Sequence, residues 1–115
     1  MNSIEILEVI ACDNDEFKYR VLLNHYGSKK SIYFGDVDES FFTETGDEIY
    51  KQKWINLALN KSNNKDILND LRVCAFLFEY HILFGESDNI IDNIISLNKM
   101  LLNKYQSVPV WLYFD

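Results

Sequence analysis

The chain has 115 residues, a formal net charge of −7 at pH 7, and a composition that is 48% hydrophobic and 15% aromatic. This supply of apolar residues is enough for one domain spanning 1–115 with a packed core, and it excludes global disorder. The acidic balance argues against direct binding to nucleic acid or to an anionic membrane, and the chain has no apolar run long enough for a membrane span and no secretory signal. Cys12 and Cys74 do not make a disulfide framework, so we expect a cytoplasmic protein with free thiols.

The first third of the chain is predicted to form strands. Residues 4–10 are rich in β-branched side chains, and their alternation slips between Ile6 and Leu7, which predicts a β-bulge or burial on both sides. Residues 17–25 alternate cleanly between apolar and polar side chains. They are predicted to pair back on the first strand as a hairpin.

A third strand and a helix are predicted next. Turn residues 26–30 precede a short strand at 31–34. Thr45 and Glu48 form a capping-box pattern at the start of a helix, which the polar stretch 60–64 ends. One stripe of this helix carries Tyr50, Trp54, Leu57 and Ala58.

The second half leaves two segments open between strand and helix. Residues 71–84 have the β-branched and aromatic content of a strand but also the apolar spacing of a helix. The spacing after Asp88 favours an amphipathic helix, although a strand over 88–104 is left open as the alternative. Residues 108–114 are β-prone. The predicted class is α+β, with an antiparallel sheet of the N-terminal hairpin plus further strands, packed against helices on one side.

The sequence carries no catalytic or metal-binding signature. The two histidines, His25 and His81, have no second histidine or cysteine at metal-ligand spacing, and no nucleophile elbow, P-loop or dinucleotide fingerprint occurs. Glu79 and His81 form an i, i+2 pair that could do acid–base work, although such pairs are more often structural. We therefore expect no enzyme activity, no cofactor and no metal.

The distribution of charge is the more informative signal. Between residues 36 and 48 there are six acids and no base, and Glu86 and Asp88 form a second acidic patch. A lopsided negative field speeds the encounter with a basic partner, and aromatic residues inside such a rim serve as anchors. The predicted partner-binding residues are Asp36, Asp38, Glu39, Phe42, Glu44, Asp47, Glu48, Glu86 and Asp88. The alternative is a solubilising surface around two core phenylalanines.

Two segments resemble a known family. Residues 31–42 and 49–59 are similar to the immunity proteins of bacterial contact-dependent growth inhibition systems (CdiI), in which a strand ends in Gly-Asp, an acidic and aromatic connection follows, and a helix carries Tyr-x-x-x-Trp. The matching positions are Gly35, Asp36, Phe41, Tyr50 and Trp54. A weaker similarity covers 78–88, where family members have paired strands around a turn.

The resemblance implies a function without catalysis. Such a protein binds and neutralises a cognate toxin domain in the bacterial cytoplasm, and these toxins are commonly nucleases with basic clefts. An alternative is a phage-type acidic inhibitor of a nucleic-acid enzyme, of the anti-restriction or anti-CRISPR kind, although nucleic-acid mimics usually carry a more extreme charge. A third hypothesis is a small enzyme built on His25, Glu79 and His81.

Overall fold

The computed structural model describes residues 4–12 and 15–105, which form three antiparallel strands followed by five α-helices and one π-helical turn. The strands pair in the order β1-β2-β3. The elements are β1 (Ile4–Ala11), β2 (Phe17–His25), β3 (Ser28–Asp36), α1 (Phe42–Thr45), α2 (Glu48–Leu59), α3 (Asn64–Asp70), α4 (Ala75–Phe78), the π turn (Glu79–Leu83) and α5 (Ile90–Lys104). This arrangement confirms the predicted α+β class.

The first hairpin has the predicted bulge. Ile6 lies opposite Leu23 and Glu8 lies opposite Leu22, so Leu7 is the extra residue on β1. The bulge keeps Ile6 buried while Leu7 is 45% exposed, which explains why the alternation of the sequence slips at this point. The backbone N–H of Ile6 donates to Asn98 Oδ1 at 2.8 Å, so α5 satisfies a donor at the bulge.

The connection between β2 and β3 is tighter than predicted. Tyr26 and Gly27 form a two-residue turn in which both residues have positive φ, 54° and 90°, as primed hairpin turns require. Lys29 and Lys30, which the sequence assigned to the turn, pair with Asn24 and Leu23 as part of β3. The prediction was wrong here because a polar stretch on a solvent-exposed strand resembles a turn in composition.

Helix α2 is capped by a different residue from the one predicted. Asp47 is the N-cap, and its Oδ1 accepts the backbone N–H of Tyr50 at 3.0 Å. Thr45 ends α1 instead, and its Oγ1 accepts the N–H of Asp47 at 3.1 Å. The helix ends before the polar stretch, as predicted. Leu57, predicted to share the buried stripe, is 69% exposed.

Of the segment 71–84, which the sequence left open, residues 75–83 are helical. Leu71 ends α3 in a left-handed conformation with φ of 51°, and α4 then runs directly into the π turn, where Ile82 and Leu83 are fully buried. Residues 84–88 follow as bends. The paired strands expected over 78–88 from the resemblance are therefore wrong, because the apolar residues here are spaced to bury one face of a helix.

The core lies between one face of the sheet and the second half of the chain. Phe34 of β3 packs on Phe78 of α4 with ring centroids 5.7 Å apart. Helix α5 begins after the N-cap Asn89, and Leu97 and Leu101 are buried on it, which confirms the predicted amphipathic helix. Full burial of one such side chain stabilises the fold by about 1.5–3 kcal/mol. The predicted β-prone segment 108–114 lies outside the described residues.

Candidate functional site

A cleft of about 660 Å³ opens between the end of β3, helix α2 and helix α4. Three carboxylates line it, from Asp36, Glu39 and Glu79. Its aromatic lining comes from Phe17, Tyr50, Trp54 and Phe76, and its basic lining comes from Lys53 and Lys61. The volume falls within the usual range of ligand pockets. We call this feature the acidic-aromatic cleft.

The end of β3 places Asp36 at the cleft. Gly35 has φ of 80°, and a Cβ at this position would lie 2.9 Å from Leu83 Cδ1 and 3.2 Å from Phe41 Cζ. Only glycine fits this backbone conformation at such close approach. The chain then turns, and Asp36 Oδ1 accepts the N–H of Asp38 at 2.8 Å, which fixes the Asp36 carboxylate.

Glu39 joins the acidic connection to α2. The Tyr50 hydroxyl donates to Glu39 Oε1, and this hydrogen bond to a carboxylate is the main reason why the pKa of Tyr50 is raised. Lys18 Nζ donates to the backbone carbonyl of Glu39 at 2.9 Å. Residue 39 is therefore held by β2 and α2 together.

Trp54 is the rigid wall of the cleft. Its ring stacks on Phe84 with centroids 3.9 Å apart and an interplanar angle of 7°, and Phe84 is only 1% exposed. Phe76 lies near the indole at 6.1 Å and 25°. Since Phe84 belongs to the core, this stack holds the Trp54 ring in a fixed orientation at the cleft.

Glu79 supplies the third carboxylate from the first position of the π turn. Burial raises the pKa of Glu79, and the negative charges of Asp36 and Glu39 raise it further, while a backbone hydrogen bond from Gly35 and the charge of Lys61 lower it. The three carboxylates thus interact electrostatically across the cleft.

Two of the acids predicted to face a partner are paired within the chain. Glu44 Oε1 lies 3.1 Å from Lys18 Nζ, and Glu48 Oε1 lies 3.7 Å from Lys51 Nζ. The run 36–48 has no base in sequence, but the fold brings bases to it from β2 and α2. Such pairs reduce the negative field at this end of the molecule.

The remaining predicted residues fall in several places. Asp38 is exposed beside Asp36, and Asp47 caps α2. Glu86 and Asp88 are exposed in the bends after the π turn, and Glu86 lines a different cavity of about 340 Å³ together with His81 and Asp92. The structure therefore brings Asp36 and Glu39 together and places Glu86 elsewhere.

Phe42 is not an exposed anchor. It is 6% exposed and belongs to the core, with Lys51 Nζ 4.3 Å from its ring centroid. Phe41, fully buried, packs on Phe84 with centroids 5.8 Å apart. The alternative from the sequence, that both phenylalanines belong to the core, is therefore the one that describes Phe41 and Phe42. Their rings complete the core beneath α1.

The three residues of the enzyme hypothesis do not converge. Glu79 lines the acidic-aromatic cleft, whereas His81 lines the other cavity, and His25 packs on Tyr26 at 4.8 Å. His81 Nε2 is buried and has no hydrogen-bond partner among the described residues, and burial lowers the pKa of this histidine. The Glu79–His81 dyad that this hypothesis requires is not assembled in the described part of the chain.

Sequence reasoning missed part of the cleft. Phe76 and the two lysines were not singled out, and Glu79 was considered as a partner of His81 rather than of Asp36. For Lys53 the sequence did contain a signal, because this residue recurs at helical spacing with the other cleft-lining residues of α2. These residues are Tyr50, Lys53, Trp54 and Leu57.

Comparisons with protein-family models, with curated proteins and with solved structures give no match. Within residues 4–12 and 15–105, no group of three or more His, Cys, Asp or Glu side chains is placed to hold a metal ion. In the same part of the chain, no helix has the length and apolar character needed to cross a membrane. Cys12 and Cys74 are free thiols. What the cleft offers chemically is a set of carboxylates beside aromatic rings, which suits cationic groups.

Proposed function

We propose that this protein is an immunity protein, which binds and neutralises a cognate toxin domain, a nuclease with a basic substrate site, in the bacterial cytoplasm. The observation that carries the proposal is the convergence of Asp36, Glu39 and Glu79 with Trp54 in one open cleft. The two segments that resemble CdiI proteins, 31–42 and 49–59, contribute Asp36, Glu39, Tyr50 and Trp54 to this cleft, which is a second support.

The physical argument is one of complementarity. A nuclease holds its substrate phosphates with clustered lysine and arginine side chains, and a negative surface is attracted to that cluster. Charge complementarity raises the association rate and penalises wrong partners. Aromatic anchors at the centre of the contact then slow dissociation.

The outer face of α2 extends the proposed interface. Ile49 is 73% exposed and Leu57 is 69% exposed, and Leu57 also lines the acidic-aromatic cleft. Apolar side chains that flank a charged cleft gain from burial against a partner, at about 25 cal/mol for each Å² removed from water.

The experiment is co-expression with the protein encoded just upstream of this gene, which the proposal expects to carry the toxin domain, followed by co-purification and affinity measurement at low and high salt. We expect the wild-type protein to restore growth and to co-purify with the domain. The variant Asp36→Asn/Asp38→Asn should bind more slowly at low salt. The matched control Glu5→Gln/Glu8→Gln removes the same charge from β1, at the opposite edge of the sheet, and should leave the rate within twofold of wild type.

Failure of the wild-type protein to protect cells or to bind the domain contradicts the proposal. Binding that is insensitive to salt and equal in both variants contradicts its electrostatic basis.

The phage-type inhibitor ranks second. A nucleic-acid mimic needs a row of uncompensated negative charges, and the pairing of Glu44 and Glu48 with lysines of the same chain reduces that row. Protection against a restriction or CRISPR nuclease, without protection against the neighbouring toxin, would favour this second function.

A further inference from the structure

We infer that the acidic-aromatic cleft receives one arginine side chain of the partner and that the Glu79 carboxylate pairs with its guanidinium group. This inference rests on the proposed function in one respect, namely that the cleft belongs to the binding face. It adds the chemical identity of the group that enters the cleft.

The state of Glu79 in the free protein favours a cationic partner. Its side chain is half-buried and lies near two other carboxylates, Asp36 and Glu39. Among the described residues no lysine or arginine forms an ion pair with Glu79; the pairs found there join Lys18 to Glu44, Lys51 to Glu48, and Arg72 to Asp70. Because Glu79 is half-buried, its carboxylate is already partly desolvated before a partner binds, so an incoming cation gains attraction at a smaller desolvation cost than at an exposed carboxylate.

The formal charge of the cleft favours a single cation. Three carboxylates face two lysines, Lys53 and Lys61, which leaves a formal charge of −1. One guanidinium group neutralises this charge, and a second cation would be repelled by the lysines. The cleft is therefore matched to one cationic side chain rather than to a basic stretch.

The shape of the cleft favours a planar guanidinium group. Trp54 is fixed by its stack on Phe84 and lies near Phe76, so the cleft has flat and rigid aromatic walls. A planar guanidinium can lie along such walls while it donates two parallel hydrogen bonds to a carboxylate. The ammonium group of lysine has neither property, so arginine is favoured.

The experiment uses the full chain and three short peptides, Ac-Gly-Arg-Gly-NH₂ and its Lys and Gln counterparts. The indole N–H of Trp54 is followed by NMR in a Trp111→Phe background, which leaves Trp54 as the single tryptophan. We expect a saturable shift with the Arg peptide, with a dissociation constant in the millimolar range, a weaker shift with the Lys peptide and none with the Gln peptide. Glu79→Gln should weaken binding of the Arg peptide about tenfold or more.

Matched variants separate a local effect from a loss of structure. Glu86→Gln removes an exposed carboxylate that lines the other cavity and should leave the affinity unchanged. Asp36→Asn keeps the hydrogen bond to Asp38 and should weaken binding by a smaller factor than Glu79→Gln. The amide spectrum of each variant reports whether the fold is kept.

Three results overturn the inference: no saturable shift with the Arg peptide, equal shifts with the Gln peptide, or full affinity in Glu79→Gln. The failure of the inference is distinguishable from failure of the proposed function. If Glu79→Gln binds the toxin domain as tightly as wild type, the arginine inference fails and the immunity function stands. If the wild-type protein does not bind the toxin domain, the function fails whatever the peptides do.

Discussion

Helices α2 and α5 have similar lengths, 12 and 15 residues, but contribute to the structure in different ways. Helix α5 inserts Leu97 and Leu101 into the core, where they are 1% and 0% exposed, although Ile91 at its start is 62% exposed. On α2 the buried side chains are those of Lys51 and Ala58. Helix α5 therefore holds the sheet, whereas α2 contributes little to the core and lines the acidic-aromatic cleft.

This difference between the helices indicates that α5 serves the stability of the fold and that α2 is suited to binding. Among the large side chains of α2, Tyr50 and Trp54 are half-buried in the cleft, and Ile49 and Leu57 are exposed. A helix that served stability alone would turn such side chains into the core. Changes on α5 should therefore act on folding, and changes on α2 should act on binding.

The largest expected effect comes from the same substitution on the two helices. Leu97→Ala leaves a cavity beside the sheet and should lower the free energy of unfolding by about 2–5 kcal/mol. Leu57→Ala removes an exposed side chain and should change the free energy of unfolding by less than about 0.5 kcal/mol. Urea denaturation followed by circular dichroism measures both values.

The affinity for the proposed toxin partner should show the opposite order. At a temperature where both variants are folded, Leu57→Ala should bind more weakly than wild type, and Leu97→Ala should bind nearly normally. Equal destabilisation by the two substitutions would remove the distinction between the helices.

The helix caps offer a smaller effect of the same kind. Asp47 caps α2 through the N–H of Tyr50, and Asn89 caps α5 through the N–H of Ile91 at 2.9 Å. Replacing either cap by alanine should cost about 1 kcal/mol of stability. Asp47→Ala should also loosen the first turn of α2 and reduce affinity, whereas Asn89→Ala should not. A reduced affinity in Asn89→Ala alone would place the binding face at α5.

The smallest expected effect is a pH dependence that differs between the two sides of the π turn. Glu79 lines the cleft that α2 also lines, whereas His81 lines the cavity beside α5 and a further cavity beside α3. The pKa of Glu79 is raised, chiefly by burial, so its contribution to stability is present at acidic pH and is lost as pH rises through the raised pKa. The pKa of His81 is lowered by burial, so its contribution is present above the ordinary histidine pKa and is lost as pH falls through the lowered value.

Urea denaturation at a series of pH values tests these two signs. Glu79→Gln should flatten the loss of stability on the alkaline side of the ordinary glutamate pKa, and His81→Gln should flatten the loss below the ordinary histidine pKa. The same curve for wild type and both variants would show that neither group is linked to folding.

The sequence predicted the elements whose signal is local. The slip between Ile6 and Leu7 located the bulge because a change of face reverses the side-chain alternation. The spacing after Asp88 located α5 because its core face repeats with the helical period. Both signals are contained within a few residues of the feature that they predict.

The candidate site depended on contacts between distant parts of the chain. Lys18 and Glu44 are 26 residues apart, so the charge pattern of 36–48 gave no sign that a lysine pairs with this acid. Glu79 lies near Asp36 because α4 packs against β3. The sequence did not predict this packing, because it left the secondary structure of 71–84 open. The sequence thus showed which acidic residues are present, but which of them pair with a lysine or lie together in the cleft depended on the fold.

Amide hydrogen exchange of the protein with and without the toxin domain tests the central claim, that the side of the molecule formed by 36–47 and α2 is the binding face. The account predicts slower exchange in this connection and in Glu48–Leu59, with no change in Ile90–Lys104. Slower exchange confined to Ile90–Lys104 and β1 would contradict it.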